Sequence, residues 1–196
     1  MAQPGQIYRK AHLTGQLRQG EIVSNLVQIK VAVDTIGSGE TAIFQIIHPF
    51  AIVVSQDCDL EWDWNARRSG EDEYAAKAMS SLLFCEMVLA VDARQTPGMN
   101  SRAWDLIKTN RDIRYQFLQK SEPEYDLQGD GLPELIIDFK RYFAIPIEEV
   151  YARIRNGEIQ RRCCFNSPYL QDIATRFYYY QYRVALPEPH FSEPAA

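Results

Sequence analysis

The sequence contains no long apolar run, and no apolar segment preceded by positive charge stands near its start. A membrane-spanning helix needs about 18 apolar residues, and a secretory signal needs the charged and apolar segments. These absences predict a soluble protein that makes no contact with a membrane and is located in the cytoplasm. Internal repeats and low-complexity tracts are also missing, which argues against repeat architectures.

Zinc-binding spacings are absent as well. The chain has four cysteines and three histidines, but no Cys-x-x-Cys or His-x-x-x-His pair. Such spacings are the usual signature of a zinc site, so we expect no cofactor. If a metal does bind, the ligands that the sequence offers are Cys58, Cys85 and His48, and a zinc-stabilised structural domain is an alternative interpretation. Without a secretory signal, the cysteines are expected to be reduced thiols.

Positive charge is in deficit. Twenty-six acidic and twenty-one basic side chains give a net charge of -5, which argues against nonspecific binding to phosphate backbones. The largest basic group consists of Arg153, Arg155, Arg161 and Arg162, which we expect to form a solvated face.

Length and composition predict one folded domain. The 196 residues are 46% hydrophobic, which is enough to build a core without a metal or a disulfide. We divide the chain into an N-terminal arm (1–19), a single α+β domain (20–186) and a proline-rich irregular tail (187–196).

Apolar patterns predict both strands and helices. Alternating or continuous β-forming runs indicate strands at 21–33, 41–47, 51–54, 82–91, 114–118, 134–145 and 158–165. Capping residues, prolines and charge bias indicate helices at 71–79, 100–112, 146–156 and 168–180. Pro49 separates the second strand from the third, and strands in such close succession favour antiparallel pairing. The pattern predicts a curved antiparallel sheet with three to four peripheral helices.

The densest chemistry follows the buried strand at 51–54. A thiol between two carboxylates has a raised pKa, so a nucleophilic Cys58 would need His48 or Arg183 as an activating partner. The alternative is that Cys58 is a small buried residue and that the two carboxylates cap a turn. The candidate catalytic residues are His48, Asp57, Cys58 and Asp59. The candidate binding residues in the same segment are Ser55 and Gln56.

Aromatic residues next to arginines provide a second set of candidates. Trp62 and Trp64, together with Arg176 and Arg183, are residue types that stack on nucleic-acid bases. The alternative, which we favour, is that most of these aromatic side chains belong to the core.

Three short segments near the start of the predicted domain form a pattern: Gly-Glu-Ile-Val at 20–23, Gly-Ser-Gly-Glu at 37–40, and the His-Pro at 48–49 that leads into the strand ending at Ser55. Together they resemble the PemK/MazF family of small SH3-like barrels. The resemblance covers residues 20–60 and implies an SH3-like β-barrel in a toxin–antitoxin, phage-defence or mobile-element setting. The family's ribonucleases use an arginine where this chain has His48, and a threonine on a later strand, whereas residues 82–91 contain none. The resemblance therefore implies a non-catalytic member.

The leading hypothesis is an α+β protein with a curved antiparallel sheet or a small SH3-like β-barrel. It would be a bacterial intracellular binding module, non-catalytic, that engages a protein or a nucleic acid such as RNA. One alternative is an enzyme centred on Cys58 and His48, such as a divergent endoribonuclease. The other is the zinc-stabilised structural domain. The substrate or partner and the oligomeric state stay open at this point.

Overall fold

The computed structural model describes residues 6–37, 39–69 and 76–182. The strands are β1 (Tyr8–Lys10), β2 (Ile22–Val31), β3 (Ile43–Val53), β4 (Ser81–Leu89), β5 (Tyr115–Leu118), β6 (Leu135–Pro146), β7 (Gln160–Arg161) and β8 (Cys163–Phe165). The helices are α1 (Asp57–Ser69), α2 (Ala90–Arg94), α3 (Ser101–Lys108), α4 (Ile147–Arg155) and α5 (Tyr169–Tyr182).

Six strands form one antiparallel sheet in the order β5-β6-β4-β3-β2-β7, and β1 pairs with β8 in a separate two-stranded sheet. The predicted α+β fold with a curved antiparallel sheet is confirmed. The barrel alternative is wrong, because β5 and β7 stand at opposite ends of an open strand order. The described residues form five helices where three to four were predicted, because α1 covers a segment without a predicted helix and the end of the predicted strand 82–91 turns into α2. Within the described ranges, every helix falls short of the length and apolarity needed to cross a bilayer.

The large sheet separates apolar cores, because successive side chains of a strand point to opposite faces. Val53 of β3 and Phe84 of β4 pack with α1 and α4 on one face. Ile52 and Cys85 pack on the other face with α5, β1 and β8. A third apolar cluster joins Ile136 of β6 to α2 and α3. The central strands are therefore buried on both faces.

Strand β3 continues through Pro49, where the sequence predicted a break between two strands. Proline lacks the N–H that a ladder requires and occurs in sheets mainly at edges and bulges. Here the pairing with β2 passes from Leu26–His48 to Ser24–Phe50. Between these pairs, Asn25 has a φ of 60°. This irregularity in β2 accommodates Pro49, and the prediction of two separate strands is wrong.

Several helix boundaries follow the predicted caps. The Oδ1 of Asn100 accepts a hydrogen bond from Ala103 N at 2.9 Å at the start of α3, and Pro146 directly precedes α4. Helix α3 ends before residue 112 because Asn110 adopts a φ of 55°. Most of the helix predicted at 71–79 lies outside the described residues.

The predicted N-terminal arm takes part in the packing. Tyr8 of β1 pairs with Phe165 of β8, and both Tyr8 and Leu17 are buried. The division of the chain into arm, domain and tail stays a prediction, and residues 187–196 lie outside the described ranges.

Two adjacent arginines are buried rather than solvated, so the prediction of a solvated basic face is wrong for them. Arg161 donates to both carboxylate oxygens of Glu21, at 2.5 and 2.8 Å. It also donates to the carbonyl oxygens of Gly15 and Gln16, each at 3.0 Å. These bonds attach the segment before β2 to the edge of the sheet.

Arg162 holds a different segment. Its guanidinium donates to both oxygens of Asp126, at 2.8 and 2.6 Å, and to the carbonyl oxygen of Gly131 at 3.0 Å. Gly131 has a φ of +75°, and a Cβ there would lie 2.4 Å from the carbonyl oxygen of Ser121. Glycine is therefore required where the loop between β5 and β6 closes on Arg162.

Removing the buried pair of Arg161 and Glu21 should lower the free energy of unfolding more than removing an exposed ion pair. Arg161→Met leaves the fully buried Glu21 carboxylate without its cation, which typically costs about 3–5 kcal/mol. Arg153→Met removes two more exposed pairs, with Glu149 and Glu158, and each should cost about 0–1 kcal/mol. The free energy of unfolding in urea measures both. Equal losses for the two variants would contradict the structural role of the buried pair.

Candidate functional site

Residues 54–59, which join β3 to the first turn of α1, lie where the sequence predicted a site. β3 ends at Val53, and the N–H of Val54 donates to the carbonyl oxygen of Leu83 at 2.9 Å. The Oγ of Ser55 then accepts a hydrogen bond from Leu83 N at 2.9 Å. The candidate binding residue Ser55 is thus buried and continues the contact between β3 and β4, while Gln56 is exposed.

Asp57 begins α1 and forms an ion pair that the sequence did not predict. Its carboxylate accepts from Nε and Nη2 of Arg18, at 2.9 and 2.5 Å, and from the backbone N–H of Gln19 at 2.8 Å. Burial alone raises the pKa of Asp57, but the bonds from Arg18 and Gln19 outweigh burial and hold the pKa below its ordinary value. Asp57 therefore ties the first turn of α1 to the segment before β2.

Cys58 is exposed in the first turn of α1. Its sulfur lies 3.6 Å from Gln56 Oε1 and 3.6 Å from Asp59 Oδ1. Both neighbours are acceptors, whereas an activated thiolate needs a cation or a base beside it. No hydrogen bond joins Cys58 to a histidine or an arginine in the described ranges.

His48 is held in other contacts. Its ring is buried and stacks on Phe143 with a centroid distance of 4.1 Å, and its Nε2 lies 3.3 Å from Gln28 Oε1. Burial lowers the pKa of His48, which favours the neutral ring. The structure thus places Asp57, Cys58 and Asp59 in one turn, and records no contact between them and His48.

The three potential zinc ligands differ in surroundings. Cys85 is fully buried on β4, where burial raises its thiol pKa, whereas Cys58 is exposed. Within residues 6–37, 39–69 and 76–182, no three His, Cys, Asp or Glu side chains form a group that could hold a metal ion.

The candidate binding residues with aromatic or arginine side chains have different surroundings. Trp62 is exposed on α1, whereas Trp64 packs against Tyr151 with a centroid distance of 5.3 Å. Arg176 donates to the carbonyl oxygens of Asn110, Asp112 and Tyr115, and burial lowers its pKa. Arg183 lies outside the described residues.

Seven of the arginines that could contact phosphate are engaged by carboxylates of the protein itself. Within the described ranges they are Arg18, Arg67, Arg114, Arg141, Arg153, Arg161 and Arg162. An arginine held by a carboxylate contributes little attraction to a polyanion, because its charge is already neutralised.

A different surface stands out by its exposure. β2 and β3 pair over residues 22–31 and 43–53, but β7 pairs with β2 only at residues 23–24 and β4 pairs with β3 only at residues 50–53. We call residues 27–37 and 39–47 the hairpin extension. Its strands run about 16 Å beyond the neighbouring strands, at about 3.3 Å per residue.

One face of the hairpin extension is apolar. Directly opposed residues share a face in an antiparallel pair, so the registers Val27–Ile47 and Val31–Ile43 place four aliphatic side chains on one side. Between them lies the pair of Ile29 and Gln45, and Gln45 is the one polar side chain of this face. Ile43 is 67% and Ile47 is 63% exposed. In the connection, Val33 and Ile36 are also exposed. Contiguous exposed apolar patches are uncommon on monomeric proteins and mark interaction sites.

Sequence reasoning identified both strands of this hairpin but missed the exposed surface. The alternation of apolar residues on β2 and β3 is the same whether or not another layer covers it. The length of the apolar pattern beyond Leu26, at 27–31, was the signal that could have found it.

No family model, curated protein or solved structure matches the chain. The resemblance of residues 20–60 to the PemK/MazF family therefore stays a prediction.

Thiol reactivity should separate Cys58 from the other cysteines. Cys58 is exposed, whereas Cys85, Cys163 and Cys164 are buried. A thiol reagent that releases a chromophore should titrate one equivalent in the native protein and four after unfolding. Cys58→Ser should abolish the native reaction, and Cys85→Ser should leave it unchanged. Reaction of two or more thiols in the native protein would contradict this burial pattern.

Acid should weaken the contact of Asp57 with Arg18. Stability from a lowered carboxyl pKa is complete above the unfolded-state pKa and is lost as pH falls through the folded-state pKa. Since the ordinary pKa of an aspartate is 3.8 and the pKa of Asp57 in the folded protein is lower, we expect the free energy of unfolding to decline below about pH 4. Asp57→Asn should make this decline shallower in urea titrations at several pH values. Arg18→Met removes the other half of the contact and should also make the decline shallower. A wild-type slope in both variants would contradict the role of this contact.

Proposed function

We propose that this chain is a non-catalytic protein-binding module whose contact surface is the apolar face of the hairpin extension. The observation that carries the proposal is the exposure of Ile29, Val31, Ile43 and Ile47 on one side of a two-stranded projection. Leaving such side chains in water is unfavourable, and covering each one contributes about 1.5–3 kcal/mol when burial is complete. A partner that covers this face gains that free energy.

The edges of the hairpin extension suit the addition of a strand. Beyond residue 24, β2 has β3 as its only strand neighbour among the described residues. Its outer edge therefore presents N–H and C=O groups to an extended segment of another chain. In such recognition, main-chain bonds supply affinity and alternate side chains supply specificity. We infer that the partner offers an extended segment with apolar residues at every second position.

A protein fits this surface better than a nucleic acid. The apolar face contains no arginine or lysine, and seven arginines elsewhere are engaged by carboxylates. The net charge of -5 adds long-range repulsion of a polyanion. The candidate catalytic residues also support a non-catalytic role, because Cys58 has acceptors and no activating base as its hydrogen-bond neighbours.

The cellular setting is part of the proposal. Four free cysteines suit a reducing compartment, so we place the module in the cytoplasm. The resemblance to the PemK/MazF family implies a toxin–antitoxin, phage-defence or mobile-element setting in a bacterium. A binding module whose partner is another protein is consistent with that setting.

A photo-crosslinking amino acid at position 47 should capture the partner in cells that normally make this protein. Ile47 and Val91 are similarly exposed, at 63% and 59%, but Val91 lies on α2, so position 91 is the matched control. We expect a protein adduct from position 47 and none from position 91. An RNA adduct, adducts from both positions, or no adduct from position 47 would overturn the proposal.

The captured protein should then bind the purified chain in a titration calorimeter. Ile43→Lys should weaken binding at least about tenfold, because it places an unpaired charge in an apolar contact. Val91→Lys should bind like the wild type. Unfolding curves of both variants should match the wild type, since both positions are exposed. Equal affinity of Ile43→Lys and the wild type would contradict the assigned surface.

A further inference from the structure

A cavity of about 470 Å³ lies outside the hairpin extension, between β5, the pair of β1 and β8, and the start of α5. Its walls are largely apolar and include Tyr8, Leu118, Phe165 and Ile173. This volume falls within the range of small-molecule sites, about 300–1,000 Å³. Asp172 belongs to the lining and is exposed, so the cavity reaches the surface.

One wall of the cavity carries a buried acceptor without a donor. Gln116 lies on β5, opposite Ile137 of β6, and is 4% exposed. Its Oε1 is the single buried side-chain oxygen or nitrogen without a hydrogen-bond partner in the described part of the chain. Buried polar atoms in folded proteins are nearly always paired, because desolvation without a new bond is unfavourable.

Strand alternation places Gln116 on the cavity side of β5. Leu118 belongs to the core beneath α5, whereas Phe117 belongs to the cluster around α2 and α3. Gln116 is two residues from Leu118 and therefore shares its face. The sequence thus places a polar side chain at a position that packing alone would fill with an aliphatic residue.

Two other polar side chains of the wall, Tyr8 and Asn110, are already paired. The hydroxyl of Tyr8 donates to the carbonyl oxygen of Gln119 at 2.6 Å. Asn110 accepts from Phe117 N at 2.7 Å and donates to Phe117 O at 3.3 Å. Asp172 is the one charged residue in the lining, and it lies at the exposed end. An anion is disfavoured by this carboxylate, and the interior supplies no countercharge for a cation.

We propose that this cavity binds a small, uncharged, largely apolar ring compound that donates one N–H or O–H hydrogen bond to Gln116 Oε1. The apolar walls take up the ring, and the donor supplies the partner that the amide oxygen lacks. The site is separate from the hairpin extension, and its occupancy does not depend on the protein-binding role.

Two probes of the same shape test the proposal on the full chain. Indole carries an N–H donor, and 1-benzothiophene has a sulfur in its place. We expect saturable binding of indole in NMR titrations, with shifts in the side-chain amide signals of Gln116 and in the signals of Ile173. 1-Benzothiophene should bind at least about tenfold more weakly. Absence of saturable indole binding, equal affinity of the two probes, or shifts confined to other regions would overturn the proposal.

Variants separate recognition from folding. Gln116→Leu removes the acceptor from a buried position, so the melting temperature should hold or rise while indole affinity falls about tenfold and the preference over 1-benzothiophene disappears. Gln95→Leu, at an exposed glutamine outside the cavity, should retain wild-type affinity. Wild-type indole affinity in Gln116→Leu would show that the amide does not recognise the donor and would overturn the proposal.

Discussion

The buried ion pairs of Arg161 and Arg162 are the constraint on which much of this structure depends. Neighbouring side chains that follow an extended backbone point in opposite directions, so two consecutive arginines can hold two different segments. Arg161 binds Glu21 and the carbonyls before β2, and Arg162 binds Asp126 in the loop between β5 and β6. Because β8 follows directly, these contacts also position the pair of β1 and β8 against β5. The cavity around Gln116 lies between β5 and the pair of β1 and β8, which these ion pairs hold together.

Local signals in the sequence predicted most of the secondary structure. β2, β4, β5 and β6 follow from period-two alternation and β-forming residues, and α3 and α4 follow from Asn100 and Pro146 at their starts. Pro49 did not end the strand as predicted, because the ladder skips it opposite Asn25, a residue of β2 with a φ of 60°. The open sheet, in place of a barrel, depends on long-range strand order, which no local pattern encodes.

The candidate site shows the same division between local and tertiary information. The apolar run before Ser55 correctly indicated a buried strand with a polar end, and the turn does carry Asp57, Cys58 and Asp59. Its partners were unpredictable, because Arg18 is distant in sequence and meets Asp57 through the fold alone. His48 stacks on Phe143 of β6 for the same reason. Exposure of the hairpin extension likewise depends on where β4 and β7 stop pairing, which is a property of the whole sheet.

Reactive residue types do not by themselves indicate a functional site in this structure. Arginine, aspartate and histidine attract attention as functional groups, yet here many of them neutralise or pack against one another inside the fold, where an unpaired charge would be far more costly than an unpaired apolar group. The unsatisfied surfaces are aliphatic side chains in water and one amide oxygen without a donor. Binding is favoured at these places, because a partner can bury the aliphatic side chains and a ligand can donate a hydrogen bond to the amide oxygen. Both proposals therefore rest on unmet burial and unmet hydrogen bonding, and neither rests on the reactivity of the residues.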